Sequence, residues 1–327
     1  MKGISKSRYT TFCQCPKALW LRVNKPEEAT VDAGVETRFE QGNVVGNLAM
    51  QYFGDFVEVT TKREDGSLDL AAMIQKTREE MQRGTDTICE ASFSYLQEQH
   101  LENFNAILGD AQEPLIKHRS ISNYCAVDIL RKTAGGWAIY EVKSTSFPEF
   151  NEKPAKLEKY APDIAYQKWV LEQCGVNVTG TYLVCLNSDY VRQGDLDTQE
   201  LFVVKDMQEL VANEYAKVAQ RVRRAIGILE RDEPDLDLDE RCNKPYRCAF
   251  WEYCKRQHAV PEPSVFDVYG GSFKSKAEDR FFMNRKLALY REGKASFADL
   301  QNEPLGDGQG VGKTERSGRV IGIFREK

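Results

Sequence analysis

Apolar and aromatic residues recur at helical spacing near the start of the chain (Tyr9, Phe12, Leu19, Trp20, Val23). This spacing predicts a helix over 7–23, capped by Ser5 or Ser7. A second helix is expected from Ala33 to Phe53, through Phe39, Val44, Val45, Leu48 and Met50. Phe56–Thr60 alternates as a strand does, and Leu70–Met81 returns to the helical period. A strand-rich region follows, with strands expected at Thr87–Tyr95, Phe104–Leu108, Ile116–Ser120, Tyr124–Arg131 and Trp137–Ser144. Helix Pro162–Cys174 then leads to the apolar strand Val178–Leu186, the short strand Phe202–Val204 and a long amphipathic helix, Asp206–Glu230. Strands interleaved with packing helices place the chain in the α/β class. The acidic run 233–240 reads as a connector to a cysteine-rich segment. Beyond it one helix is expected, Lys276–Arg291, before a Gly-rich polar ending that reads as linker.

The composition is that of a globular chain: 41% of its 327 residues are hydrophobic and 29% charged, which excludes collagen-like, coiled-coil and wholly disordered classes. No apolar run approaches the roughly 20 residues of a membrane span, so no membrane partner is expected. The opening MKGISKSRYTTFCQCPK has no apolar leader stretch, and the nine cysteines are an odd number. Both fit a cytoplasmic, reducing setting in which thiols serve as ligands rather than as disulfides. Net charge is −5, but residues 1–26 carry +6 and residues 241–256 carry +4, which leaves −15 on the rest. A basic end on an acidic body is the asymmetry of a polyanion track.

The segment from Ala126 to Lys143 holds the most chemistry. Gly135-Gly136 is a favourable turn dipeptide between two strand patterns. With a two-residue loop, Asp128 falls opposite Glu141 or Lys143, depending on which two residues turn. In either register Asp128, Glu141 and Lys143 share one face. Two carboxylates with the Val142 carbonyl make a hard-oxygen site for Mg²⁺ or Mn²⁺, which could activate a water. Lys143 could orient that water or neutralise developing charge. The alternative is an exposed sheet face carrying a structural ion pair.

Asp128 followed by Glu141-Val142-Lys143 resembles the core of the PD-(D/E)XK nucleases, in particular their RecB-like branch. The resemblance implies a restriction-endonuclease-like mixed β-sheet core flanked by helices. It also implies a metal-dependent deoxyribonuclease, exo- or endonucleolytic, acting on single-stranded DNA or DNA ends beside other DNA-processing, CRISPR or repair proteins. Those nucleases carry Gln-x-x-x-Tyr on the next helix, where this chain has Gln167 within DIAYQKWVLEQCG; Gln167 is thereby implied as a substrate or metal contact. The upstream Gly-x-x-x-His of the family is here Gly42-Asn-Val-Val-Gly46, so its histidine ligand is missing, and Glu40 or Glu90 could substitute. The missing histidine also leaves open a second reading: a catalytically weak nucleic-acid-binding or assembly subunit that keeps the fold.

Cys242-x5-Cys248-x5-Cys254 places three cysteines in thirteen residues, and Cys15-Pro16 lies near the start with Cys13 close by. With Ser5, Ser7, Phe12 and Lys17, the combination resembles the iron–sulfur RecB-like nucleases, the CRISPR-associated exonucleases and AddB-type enzymes. That resemblance implies a [4Fe–4S] cluster on Cys15, Cys242, Cys248 and Cys254, in a cysteine-cluster lobe joining the N- and C-terminal segments. The spacing departs from the family's Cys-x2-Cys-x5-Cys. Zinc is the rival metal, although short paired knuckles are absent from the triplet. The implied organisation is a nuclease domain over 1–258, with 1–26 and 241–258 as the lobe, and a C-terminal extension over 259–327, partly helical and then flexible. Arg8, Lys17, Arg247, Lys255 and Arg256 are expected to meet phosphates there. Cys89, Cys125, Cys174 and Cys185 read as core residues. Gly308–Thr314 lacks the first glycine of a phosphate-binding loop, because position 307 is Asp.

Overall fold

The computed structural model describes residues 3–30, 33–101, 117–148, 156–267, 276–296 and 298–299. The expected strand Phe104–Leu108 and the Gly-rich ending lie outside the described residues. In chain order the elements are β1 (Ile4–Ser5), α1 (Lys6–Gln14), α2 (Pro16–Asn24), α3 (Ala33–Met50), β2 (Val57–Glu58), α4 (Leu70–Arg83), β3 (Thr87–Leu101), β4 (Lys117–Thr133) and β5 (Gly136–Phe147). There follow α5 (Ala161–Gln173), β6 (Val178–Asn187), α6 (Thr198–Leu201), β7 (Phe202–Asp206), α7 (Gln208–Leu229), α8 (Trp251–Gln257) and α9 (Lys276–Arg291). The chain divides into two compact units, one of residues 1–20 and 32–233, the other of residues 21–31 and 234–327.

The first unit is a mixed α/β body. Its seven-stranded sheet runs β2-β3-β4-β5-β6-β7, and β1 pairs with β4. The β3–β4 and β4–β5 pairs are antiparallel, whereas β5 and β6 are parallel neighbours joined through α5. Parallel neighbours need such a crossover, and the helix covers the sheet it crosses. α5 is buried on nearly every side, with Ile164, Ala165, Tyr166, Val170 and Leu171 fully enclosed. α3 covers another part of the sheet, where Ala49 and Met50 meet Cys89, Ile129, Val184 and Phe202.

The helix expected over 7–23 is instead two helices. Cys15 sits between them with φ −155° and ψ 121°, because the ring of Pro16 excludes the helical conformation from the residue before it. Ser5 is the cap, its hydroxyl accepting the Arg8 N–H at 3.3 Å. The strands expected at 116–120 and 124–131 are one continuous strand, β4. The turn also falls one residue earlier than the glycine pair suggests: Thr133 pairs with Gly136, so Ala134 and Gly135 form the loop. Asn177 fixes this choice. Its carbonyl accepts the Trp137 N–H at 2.9 Å, and its side-chain amide donates to the Gly135 carbonyl at 2.6 Å. A Cβ at position 136 would stand 2.3 Å from that Asn177 carbonyl oxygen.

The second unit has a small core of its own, in which Leu238 and Trp251 pack with Val265, Phe266, Leu287 and Leu289. Trp251 and Phe266 meet edge to face at 5.0 Å. The cysteine-bearing segment and α9 therefore share one apolar centre. An early piece of chain is tied to the same segment: Thr30 N–H donates to the Ala249 carbonyl at 2.8 Å, and Lys25 donates to the Tyr253 hydroxyl at 2.7 Å.

Gly136→Ala should force the hairpin away from Asn177 and destabilise the protein by about 1–3 kcal/mol. A lowered denaturant midpoint with an unchanged slope is the expected result.

Candidate functional site

Everything at the candidate site follows from where β5 leaves β4. Their pairing runs from Thr133–Gly136 to Ile129–Tyr140 and stops there. One further step would set Asp128 beside Glu141, so of the two registers open to the sequence the structure takes the Glu141 one. The Asp128 carboxylate instead accepts the Val142 N–H at 2.7 Å, in the place of a ladder bond. Beyond this point β1 pairs with β4 at Asn123 and Tyr124. Since β3 holds the other edge of β4 around Asn123 and Tyr124, β1 takes the edge that β5 has vacated.

That placement delivers Lys6, the first residue of α1, into the split. Its ammonium lies 3.4 Å from Asp128 Oδ1 and 3.3 and 3.2 Å from the two oxygens of Glu141. Tyr166 on α5 anchors this arm, its hydroxyl donating to the Ile4 carbonyl at 2.6 Å while its ring stacks on Tyr9 at 4.6 Å. Nothing in the hydrophobic pattern marks Lys6. A cation at the first position of a helix, against the dipole, is the signal that could have found it.

Glu141 is the centre of the cluster, 1% exposed. It touches Lys6 and Lys143 and accepts from Gln167 Nε2 at 2.7 Å. Lys143 also bridges to Asp163 at 2.9 Å. The structure therefore brings Asp128, Glu141, Lys143 and Gln167 together, and adds Lys6 and Asp163. Of the two acids considered for the missing histidine, Glu90 belongs to the site and Glu40 is exposed on α3. Glu90 stands in β3 opposite Asp128, with a left-handed φ of 58° that removes it from the ladder. Such a conformation is strained for a residue with a side chain and is held by its surroundings.

The electrostatics follow from four carboxylates sharing two lysines. Burial, with Asp128 close by, pushes the Glu90 carboxyl up to about 7. Burial and the Glu141 charge push Asp163 up to about 6, and Asp128 is raised for the same two reasons. Glu141 moves the other way: burial opposes its charge, but the two lysines beside it outweigh burial and hold it below the usual range. One polar atom is left over, since Gln167 Oε1 is buried and has no hydrogen-bond partner.

The donors fit a divalent cation: two carboxylates, a surplus of negative charge and an orphaned oxygen beside them. The Val142 carbonyl points to the same side of its strand as the N–H that meets Asp128. Among the described residues, no three His, Cys, Asp or Glu side chains are grouped as a ready-made metal site. The nearest oxygens on offer are the carboxylate pair, the backbone carbonyl and Gln167 Oε1.

The cysteines are thiols, none in a disulfide. Cys242 and Cys254 pack against the core of the second unit, and Cys248 accepts the Phe250 N–H at 3.5 Å. Cys15 belongs to the first unit, at the end of α1. Cys89, Cys125 and Cys185 are buried as expected; Cys174 is exposed, because it forms the C-cap of α5 rather than a turn facing the sheet. The expected phosphate track also needs correction. Lys17 is buried and paired with Glu233 at 3.2 Å. Lys255 is buried between Glu252 and Asp267. Arg247 and Arg256 are exposed, and both bridge to glutamates.

No protein-family model and no curated protein matches the chain. Among solved structures it is similar to one described as the crystal structure of SSO0001, at 12% identity over 78% of this chain and 86% of that one, with a TM-score of 0.36. That likeness carries no argument about fold or activity. No helix among the described residues is long and apolar enough to cross a membrane.

Tyr166→Phe removes the anchor of β1 and should cost about 0.5–1.5 kcal/mol. Amide hydrogen exchange should rise at β1 more than in the β5–β6 pair, which separates loss of the anchor from general loosening.

Proposed function

We propose that this protein is a metal-dependent nuclease of the PD-(D/E)XK, RecB-like kind, with a restriction-endonuclease-like core, acting on single-stranded DNA or DNA ends. One observation carries the reading: Asp128 and Glu141 converge at a strand split, with Lys143 touching Glu141 and Gln167 donating to it. A buried charge cluster of this kind is costly and is retained where it has work to do. Asp128, Glu141 and the Val142 carbonyl would hold Mg²⁺ or Mn²⁺, which when bound supplies an activated water and a counter-charge for the phosphoryl oxygens. Lys143 orients the attacking water and faces the charge that develops on the phosphate. Gln167 fixes the Glu141 carboxylate and leaves its own oxygen to accept from a water at the site. Glu90, opposite Asp128, is the acid that would substitute for the family's missing histidine.

Asp128→Asn and Glu141→Gln should each lower Mn²⁺-dependent cleavage of labelled single-stranded DNA by about 10²-fold or more. Both variants should remain folded, because Lys6 keeps either Glu141 or Asp128 as a carboxylate partner and Lys143 keeps Asp163. Lys143→Met should slow cleavage while leaving Mn²⁺ affinity largely intact. Parental rates in all three variants would place any cleavage outside this cluster, and a parent that binds DNA without cutting it would favour the binding-subunit reading.

The cysteine triplet belongs to the same proposal. Thiols set against an apolar core, one of them receiving a backbone N–H, are donors suited to an iron–sulfur cluster. Cys242, Cys248 and Cys254 would be ligands, with Cys15 the fourth that the family resemblance implies. Anaerobically purified protein should be brown with about four irons per chain. Each Cys→Ser change at these positions should bleach it, and Cys13→Ser should not. One zinc and no colour would refute the assignment.

A further inference from the structure

We infer that Lys6 is an internal competitor for the cation, and that a strand phosphate relieves the competition by offering Lys6 another anion, so that cation and strand load together. The inference rests on the nuclease reading of the same site and concerns a residue outside the family motif. Lys6 Nζ lies within 3.2–3.4 Å of three oxygens from Asp128 and Glu141. These are the oxygens a divalent cation would take, at about 2.0–2.6 Å. An ammonium and a divalent cation cannot both be satisfied by one carboxylate pair, since like charges so close repel strongly at a water-poor site.

Three features make Lys6 able to leave. Its side chain is 25% exposed, so an outward path exists. It hangs on a flexible four-carbon stem with three rotatable donors. It also occupies the first turn of α1, which has no acidic residue, so the helix end that Lys6 burdens would itself favour an approaching anion. The backbone beneath it is fixed, because Ser5 caps α1 and Tyr166 holds Ile4. Lys6 can therefore swing without β1 moving.

The test is Mn²⁺ binding to the full chain, followed by electron paramagnetic resonance, which does not depend on cleavage. Lys6→Met should bind Mn²⁺ at least about tenfold tighter than the parent, and Lys6→Met with Glu141→Gln should lose the gain. A short oligothymidylate should tighten Mn²⁺ binding by the parent several-fold more than by Lys6→Met. Lys6→Gln serves as a second variant if Lys6→Met folds poorly, and Mg²⁺ should raise the melting temperature of either variant more than that of the parent. Equal Mn²⁺ affinity in parent and variants would overturn the inference while leaving the nuclease reading standing. Equal tightening by oligothymidylate would overturn the coupling. Absence of Mn²⁺ binding in parent and variants alike would overturn both.

Discussion

The separation of β4 from β5 after Ile129–Tyr140 is the constraint on which the rest of the first unit depends. A continuous ladder would have consumed the Val142 N–H and kept the two strands side by side. The Asp128 carboxylate takes that N–H instead, and the strands part. The vacated edge of β4 then needs a partner, and β1 supplies it with two residues. From that pairing come the position of Lys6, the Tyr166–Ile4 hydrogen bond and the stacking of Tyr9 on Tyr166. A backbone group left without a partner is expensive, so each substitution for a lost ladder bond brings a particular side chain into the split.

The buried charges are tolerable because they form a network rather than a pair. Glu141 is almost wholly enclosed, yet it has Lys6, Lys143 and Gln167 around it. Such a group contributes little net stability and much specificity of arrangement, since removing one partner leaves another charge uncompensated. α5 makes the arrangement rigid. Its apolar residues fill the body of the unit, while Asp163 and Gln167 on the same helix reach the cluster. A helix buried on nearly all sides cannot shift without moving both its core contacts and the charges.

Much of the α/β pattern was legible locally. α9 matches its expected span, and α5, β6 and α7 lie within a residue or two of theirs. The apolar spacing of α1 and α2 continues through Cys15 and predicts one helix, although Pro16 carries the signal for a break. The burial of two basic residues was illegible for a related reason. Counting charges finds Lys17 and Lys255 but not the acids that bury them, Glu233 in one case and Glu252 and Asp267 in the other.

For the site, the sequence by itself determined the candidates Asp128, Glu141 and Lys143, because the period of a strand and the length of a turn restrict which side chains share a face. It could not choose between two registers. That choice was made by Asn177, some forty residues beyond the turn, whose carbonyl requires glycine at 136 and so sets the loop at Ala134-Gly135. Lys6, Asp163 and the strained Glu90 were decided by tertiary structure alone. Their places depend on an edge that β5 gives up, a crossover helix that returns over the sheet, and a residue that leaves its ladder. Periodicity records which face a residue takes within its own element, and it carries no record of which distant element will fill the gap beside it.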